Sequence, residues 1–240
     1  NFLNVVTSDV SPFITVTAGY TVVFQNCLFE NNIGHVHGVI AVARNHADII
    51  NSTFINNSCP CSDTAMACQD STCHNGGVYV TEGATVTVSN STFIGNRGHF
   101  GAALLVVSGA GFSVSDSLFE GNYDDVHGSF GAAIAFNACG VTSNGTITTS
   151  NGLVQGSAFV SNVVDGWGGA ISVDKCPNFA IADSFFANNT ANIAGGAVYL
   201  SGIDGEGIPT NSNFTDNISP ICADVGMADM FTFSATQCVD

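Results

Sequence analysis

Short stretches of β-branched and aromatic residues alternate along this chain with clusters of Gly, Asn, Ser and Asp, and no helical pattern follows the glycines. The alternation repeats. Seven phenylalanines are each followed three residues later by asparagine: Phe29/Asn32, Phe54/Asn57, Phe93/Asn96, Phe119/Asn122, Phe159/Asn162, Phe186/Asn189 and Phe214/Asn217. Successive phenylalanines are 25, 39, 26, 40, 27 and 28 residues apart, a period of 25–28 with two insertions. A second motif falls between them. Residues 76–80, 168–172 and 195–199 begin with Gly-Gly and run into a short β-prone stretch, with looser copies at 37–41, 101–105 and 131–135. A third short strand is predicted before each next Phe, as at 84–88, 111–114 and 179–182. Three strands per period, separated by turns, predict an all-β parallel β-helix, a solenoid of about seven coils over a single domain, 1–240.

Stacking accounts for the residue types. Equivalent positions on adjacent coils lie about 4.8 Å apart, so like residues form ladders, and seven coils make a rod of roughly 35 Å. The Phe column is expected to stack inside. The Asn column is expected at a turn, in left-handed backbone geometry, bonded to the coils above and below. Two residues before each Phe stands Cys27, Ser52, Ser91, Ser117, Ser157, Ser184 or Ser212, on the same inward face. The small residues of the glycine motif permit close backbone approach.

Charge narrows the partners. Nineteen acids face three bases (Arg44, Arg97 and Lys175), for a net charge of −16. So few cations exclude a phosphate-binding surface, and with it nucleic acid and anionic membranes. No apolar run reaches the ~20 residues of a membrane span. The chain starts at Asn1 without a leader, as expected of a mature form or an excised portion. Seven Asn-x-Ser/Thr sequons, at Asn51, Asn56, Asn90, Asn144, Asn188, Asn213 and Asn217, mark expected N-glycosylation sites and an extracellular or cell-surface location. Asn51 and Asn90 are expected to share a column, with their glycans splayed outward.

Nine cysteines fit the same oxidising compartment. Cys59, Cys61, Cys68 and Cys73 lie in an insertion at 58–75, read as a flap stapled by two local disulfides of undetermined pairing. Zinc with the adjacent His74 is the alternative, disfavoured by the uneven spacing. Cys139 and Cys176 each fall six residues after the Ala of a glycine motif, so they should meet on adjacent coils. Cys222 and Cys238 flank the final strand and are expected to tie down that end. Cys27 is left as a buried free thiol. The second insertion, around 137–155, reads as longer turns.

The alternating Phe-x-x-Asn and Gly-Gly-Ala-[Ile/Leu/Val] motifs resemble the repeat of the chlamydial polymorphic outer membrane proteins, over residues 24–233. That resemblance implies a right-handed parallel β-helix of the pectin-lyase-like superfamily, on the cell surface, serving adhesion or as a scaffold. Enzymes of that superfamily set the competing expectation. Asp124-Asp125 with His127-Gly128 resembles the acidic pair and histidine of its hydrolases, but all lie in one turn and the partner Arg-x-Lys pattern is missing. Arg44 and Arg97 could share one side, as a lyase would need. A turn-lining row of His37, His99 and His127 is conceivable as a metal site, and calcium at Asp124, Asp125, Asp204 or Glu206 has no loop motif to support it. The expectation is therefore a secreted glycoprotein without catalytic residues, metal or cofactor. It serves as a structural or adhesive module that self-associates, even into filaments, or meets other matrix proteins or polysaccharide. A polysaccharide-binding or polysaccharide-cleaving β-helix is the alternative.

Overall fold

A computed structural model describes residues 2–3, 14–17, 19, 21–34, 37–59, 74–124, 127–137, 151–176, 178–203, 207–228 and 236–239. Within them every regular element is a strand, in three long sheets and one short one. The chain visits the long sheets in fixed rotation, and each visit pairs in parallel with the strand of the preceding circuit. One such circuit is Leu104–Val107 in the second sheet, Gly111–Ser115 in the third and Leu118–Glu120 in the first. No two strands of this circuit pair with each other, so their ladder bonds all run to the neighbouring circuits.

The first sheet carries the phenylalanines in strict register, Phe29 to Phe54 to Phe93 and onward to Phe214. Phe2 pairs with Phe29 and adds an eighth strand that the periodicity missed, because Val5 stands where the asparagine would be. Neighbouring rings stack at 4.6–4.9 Å and within 14° of parallel, and Phe29 to Phe186 are fully buried. Burial of each such ring stabilises the fold by about 1.5–3 kcal/mol.

The Asn column is placed differently from expectation. Asn32 to Asn217 are buried, and each Nδ2 donates to Oδ1 of the next asparagine at 2.8–3.0 Å. From Asn57 onward, Nδ2 also donates to the carbonyl of the preceding circuit's Phe. Each Oδ1 accepts a second bond from a backbone N–H, so the carboxamides of the interior circuits are fully satisfied. The left-handed residue is the one before: Asn31, Asn56, Gly95, Gly121, Ser161, Asn188 and Asp216, with φ of 50–60°. A matching corner ahead of the first sheet holds Asn26, Asn51, Asn90, Asp116, Gly156, Asp183 and Asn211, at 48–58°. Asn, Asp and Gly dominate both corners because they tolerate this region of backbone space. The serine column forms a second ladder, each backbone N–H donating to the next Ser Oγ.

Register also corrects one glycine motif. Val78 pairs with Leu104, so Gly76 faces Ala102 and Asn75, not Gly76, stands opposite Gly101. The later copies align as read: Gly131, Gly168 and Gly195 follow one another with positive φ, and Cys222 continues the column at 58°. At Gly131 an added Cβ would strike the Ile134 carbonyl oxygen.

The short sheet, Tyr123–Asp124 with Val163–Val164 and Thr190–Ala191, has strands too brief to leave a period in the sequence. At the far end Val225–Ala228 forms the expected last parallel strand, and Thr236–Val239 lies antiparallel across it.

Candidate binding trough

Alternation in the second sheet sends one set of side chains into the core and the other outward. Val78, Val80, Leu104, Val106, Ile134, Phe136, Ile171 and Val173 belong to the main core. The other set forms two outward columns across successive circuits. One runs Tyr79, Leu105, Ala135, Ser172 and Tyr199; the other runs Thr81, Val107, Asn137, Asp174 and Ser201.

An aromatic strip borders the first column. Phe100, Phe130 and Trp167 stand immediately before Gly101, Gly131 and Gly168 and are joined by single parallel bridges. Their rings pack at 6.0 Å (Phe100 to Phe130) and 4.9 Å (Phe130 to Trp167), and Tyr199 follows 6.3 Å from Trp167. Between this strip and the second column lies a partly enclosed cavity of about 270 Å³. Its floor includes Leu105 and Ala135, one wall Phe100, Phe130 and Tyr199, and the opposite rim Asn137, Asp174 and Ser201. Asp174 pairs through Oδ2 with Lys175 Nζ at 3.2 Å, while its Oδ1 is buried without a hydrogen-bond partner.

Histidines gather at one end. His37 and His74 stack at 5.3 Å, His37 packs on Tyr79 at 4.4 Å, and the His99 ring meets Phe100 edge-on at 4.0 Å. Burial lowers all three pKa values, and the neighbouring His74 lowers those of His37 and His99 further. His127 does not join them: it lies 3.4 Å from Asp165 at another corner. Among the described residues no group of His, Cys, Asp or Glu is arranged to hold a metal ion.

The remaining candidates disperse. Asp124 is buried in the short sheet, whereas Asp125, Asp204 and Glu206 lie outside the described residues. Arg44 pairs with Glu82 at 2.8 Å and shares its corner with Lys175, whereas Arg97 sits over Tyr123 on a different corner, so the expected grouping of the two arginines is not formed. Asn51, Asn56, Asn90, Asn188 and Asn213 are exposed, the first four on the left-handed corners, and Asn51 stacks on Asn90. Asn217 is withdrawn as a glycan acceptor: it is 6 % exposed, and its Nδ2 already donates to Phe186 O and Asp224 Oδ1. Asn144 lies outside the described residues.

Cys222 and Cys238 are bonded to each other, clamping the antiparallel strand to the last parallel one. Cys59 and Cys176 are disulfide-bonded too, while Cys61, Cys68, Cys73 and Cys139 lie outside the described residues. Cys27 is free but only half-buried, a correction that follows from its place near the first circuits.

Sequence reasoning missed the trough because it assigned the glycine motif to packing alone. A signal existed: an aromatic residue one position before three of the six copies, at Phe100, Phe130 and Trp167. Comparison with protein families, with curated proteins and with solved structures found no match to this chain. Among the described residues no helix is long and apolar enough to cross a membrane.

Proposed function

We propose that this chain is a secreted, N-glycosylated, right-handed parallel β-helix acting at the cell surface or in the extracellular space as a structural and adhesive module. The parallel strands of successive circuits support the solenoid, and the strong preference of parallel crossovers for the right hand supports its sense. The repeat's likeness to the chlamydial surface proteins adds to this reading through its motifs. Exposed sequon asparagines on the corners suit glycan display without disturbing the ladders.

The observation that carries adhesion is the aromatic strip beside a cavity on an outer sheet face. Such a concave apolar site with a few convergent polar groups is the usual form of a ligand site. It stands on a frame of ladders that holds it rigid, which lowers the ordering cost of binding. The module is read as non-enzymatic.

Beads coated with the glycosylated protein should be retained on surfaces bearing extracellular polysaccharide or matrix protein, and beads coated with Phe130→Ala should wash off. Retention indifferent to Phe130, or release of new reducing ends from the polysaccharide, would overturn the reading.

A further inference from the structure

The outer face of the third sheet carries a hydroxyl, an imidazole and a carboxylate in hydrogen-bonded series. His46 and Asp48 point outward from one strand, His46–Ile50, whose alternate residues Ala47 and Ile49 are buried in the core. Thr85 stands opposite His46 on the next circuit. Asp48 Oδ1 lies 2.8 Å from His46 Nε2, and Thr85 Oγ1 lies 2.7 Å from His46 Nδ1. Thr85 is exposed, so a solute reaches its hydroxyl.

The donor inventory fixes the roles. A carboxylate only accepts, so the ring proton sits on Nε2, and Nδ1 turns its lone pair to the Thr85 hydroxyl. A hydroxyl that donates to an imidazole, itself oriented by a carboxylate, is the arrangement that activates an oxygen nucleophile. We propose that Thr85 is an acyl-acceptor site, modified once per chain by an activated acyl donor such as a thioester or an aryl ester. The Thr85 oxygen bonds to the acyl carbon while its proton passes to His46 Nδ1. The bond from that carbon to the leaving group then breaks, and the proton departs with the thiol or phenol. Asp48 is a positioning residue that keeps the other ring proton in place.

The backbone restricts the donor. The N–H of Thr85 is bonded to Asn45 O, that of His46 to Asn45 Oδ1, and that of Gly111, opposite Thr85 on the following circuit, to Ala84 O. None of these is left to stabilise the negative oxygen that forms on an attacked carbonyl. Only a donor with a good leaving group reacts without that help, which excludes amides and alkyl esters. The product is itself an alkyl ester of threonine, so it hydrolyses slowly and the acyl group accumulates. The site is a point of covalent attachment rather than of turnover, and it is independent of the trough and of the adhesive reading.

The full chain would be incubated with para-nitrophenyl acetate and, separately, with the thioester S-acetyl-N-acetylcysteamine, with ethyl acetate as the unactivated control. A burst of one equivalent of nitrophenolate is expected, with the acetyl group mapped to Thr85 by peptide mass spectrometry for both activated donors and no label from ethyl acetate. Thr85→Val should abolish the burst. Thr87→Val should leave it unchanged, because Thr87 faces Asp48 and not His46. His46→Gln should slow labelling of Thr85 by about a hundredfold or more, the usual contribution of a general base. Thr85→Ser keeps the hydroxyl and should still be labelled, which preserves the test should Thr85→Val fold poorly. Nitrogen-15 NMR of His46 should show the Nε2-protonated tautomer in the wild type and its loss in Asp48→Asn, a signature that a merely structural role for Asp48 does not predict. A burst that survives Thr85→Val, an acetyl group mapped to His46 or a lysine instead of Thr85, or labelling indifferent to His46→Gln would overturn the assignment.

Discussion

Asn122 donates from Nδ2 to Oδ1 of Asn162 at 3.0 Å, across forty residues of sequence and one circuit of the fold. The same carboxamide donates to Phe93 O and accepts from both the backbone N–H and Nδ2 of Asn96. Asn122→Ala therefore orphans a buried N–H of Asn96 as well as deleting its own bonds. At roughly 1–3 kcal/mol for a buried group left unsatisfied, plus the lost bonds, a destabilisation of about 3 kcal/mol or more is expected. Urea unfolding would measure it; Asn217→Ala, whose Oδ1 accepts from the same two groups of Asn189, should cost a similar amount.

Backbone geometry predicts a gain as well as losses. Ser161 holds a φ of 54° in a column where Gly95 and Gly121 occupy the preceding circuits, and its side chain is exposed. A left-handed non-glycine costs about 1–2 kcal/mol, and glycine's greater unfolded freedom returns part of that. Ser161→Gly should raise stability by up to about 1 kcal/mol. Gly131→Ala should do the reverse and by more, because its Cβ meets a carbonyl oxygen as well as the positive φ. Thermal unfolding of both variants checks the opposite signs.

Acid should weaken the histidine end of the trough. His37, His74 and His99 all have pKa values lowered from 6.5, chiefly by burial. Below 6.5 the unfolded chain then binds more protons than the folded one, so stability rises with pH there and falls as pH drops from neutral through that window. His74→Gln removes one site and the charge that acts on the other two, and should flatten the dependence. Urea midpoints at pH 5 and 7.5 would show it; a wild-type midpoint that did not fall at pH 5 would refute the linkage.

The Cys222–Cys238 bridge closes a span of 16 residues, a loop for which roughly 3 kcal/mol of stabilisation is usual. Its loss should be felt locally. In Cys238→Ala, amide exchange should accelerate in Val225–Ala228, while the first-sheet phenylalanine strands remain protected. Uniform acceleration throughout would show instead that the cap is coupled to every circuit.

Much of the frame was legible in the residues. Phe, Asn and Ser recur at intervals that survive two insertions because each must meet its own kind one circuit away, so a lapse would leave a cavity or an unpaired amide. The places where reading failed are those without such a partner. Gly76 fell one residue out of register because Asn75 serves in the glycine column, and a small-residue motif alone cannot resolve a one-residue slip. Asn217 carries a sequon that is identical in form to that of Asn188, yet one is buried in the ladder and the other exposed on a corner.

By itself, then, the sequence determined the strand rotation, the phenylalanine stack, the serine and asparagine columns and the pairing of Cys222 with Cys238. Each is a periodic or local demand written into every circuit. Only the tertiary structure decided that the asparagines turn inward one residue after the left-handed corner, and that Phe100, Phe130 and Tyr199 line one cavity with Asp174. An aromatic residue precedes only three of the six glycine motifs, and only the stacking of circuits brings these side chains to one face with Asp174.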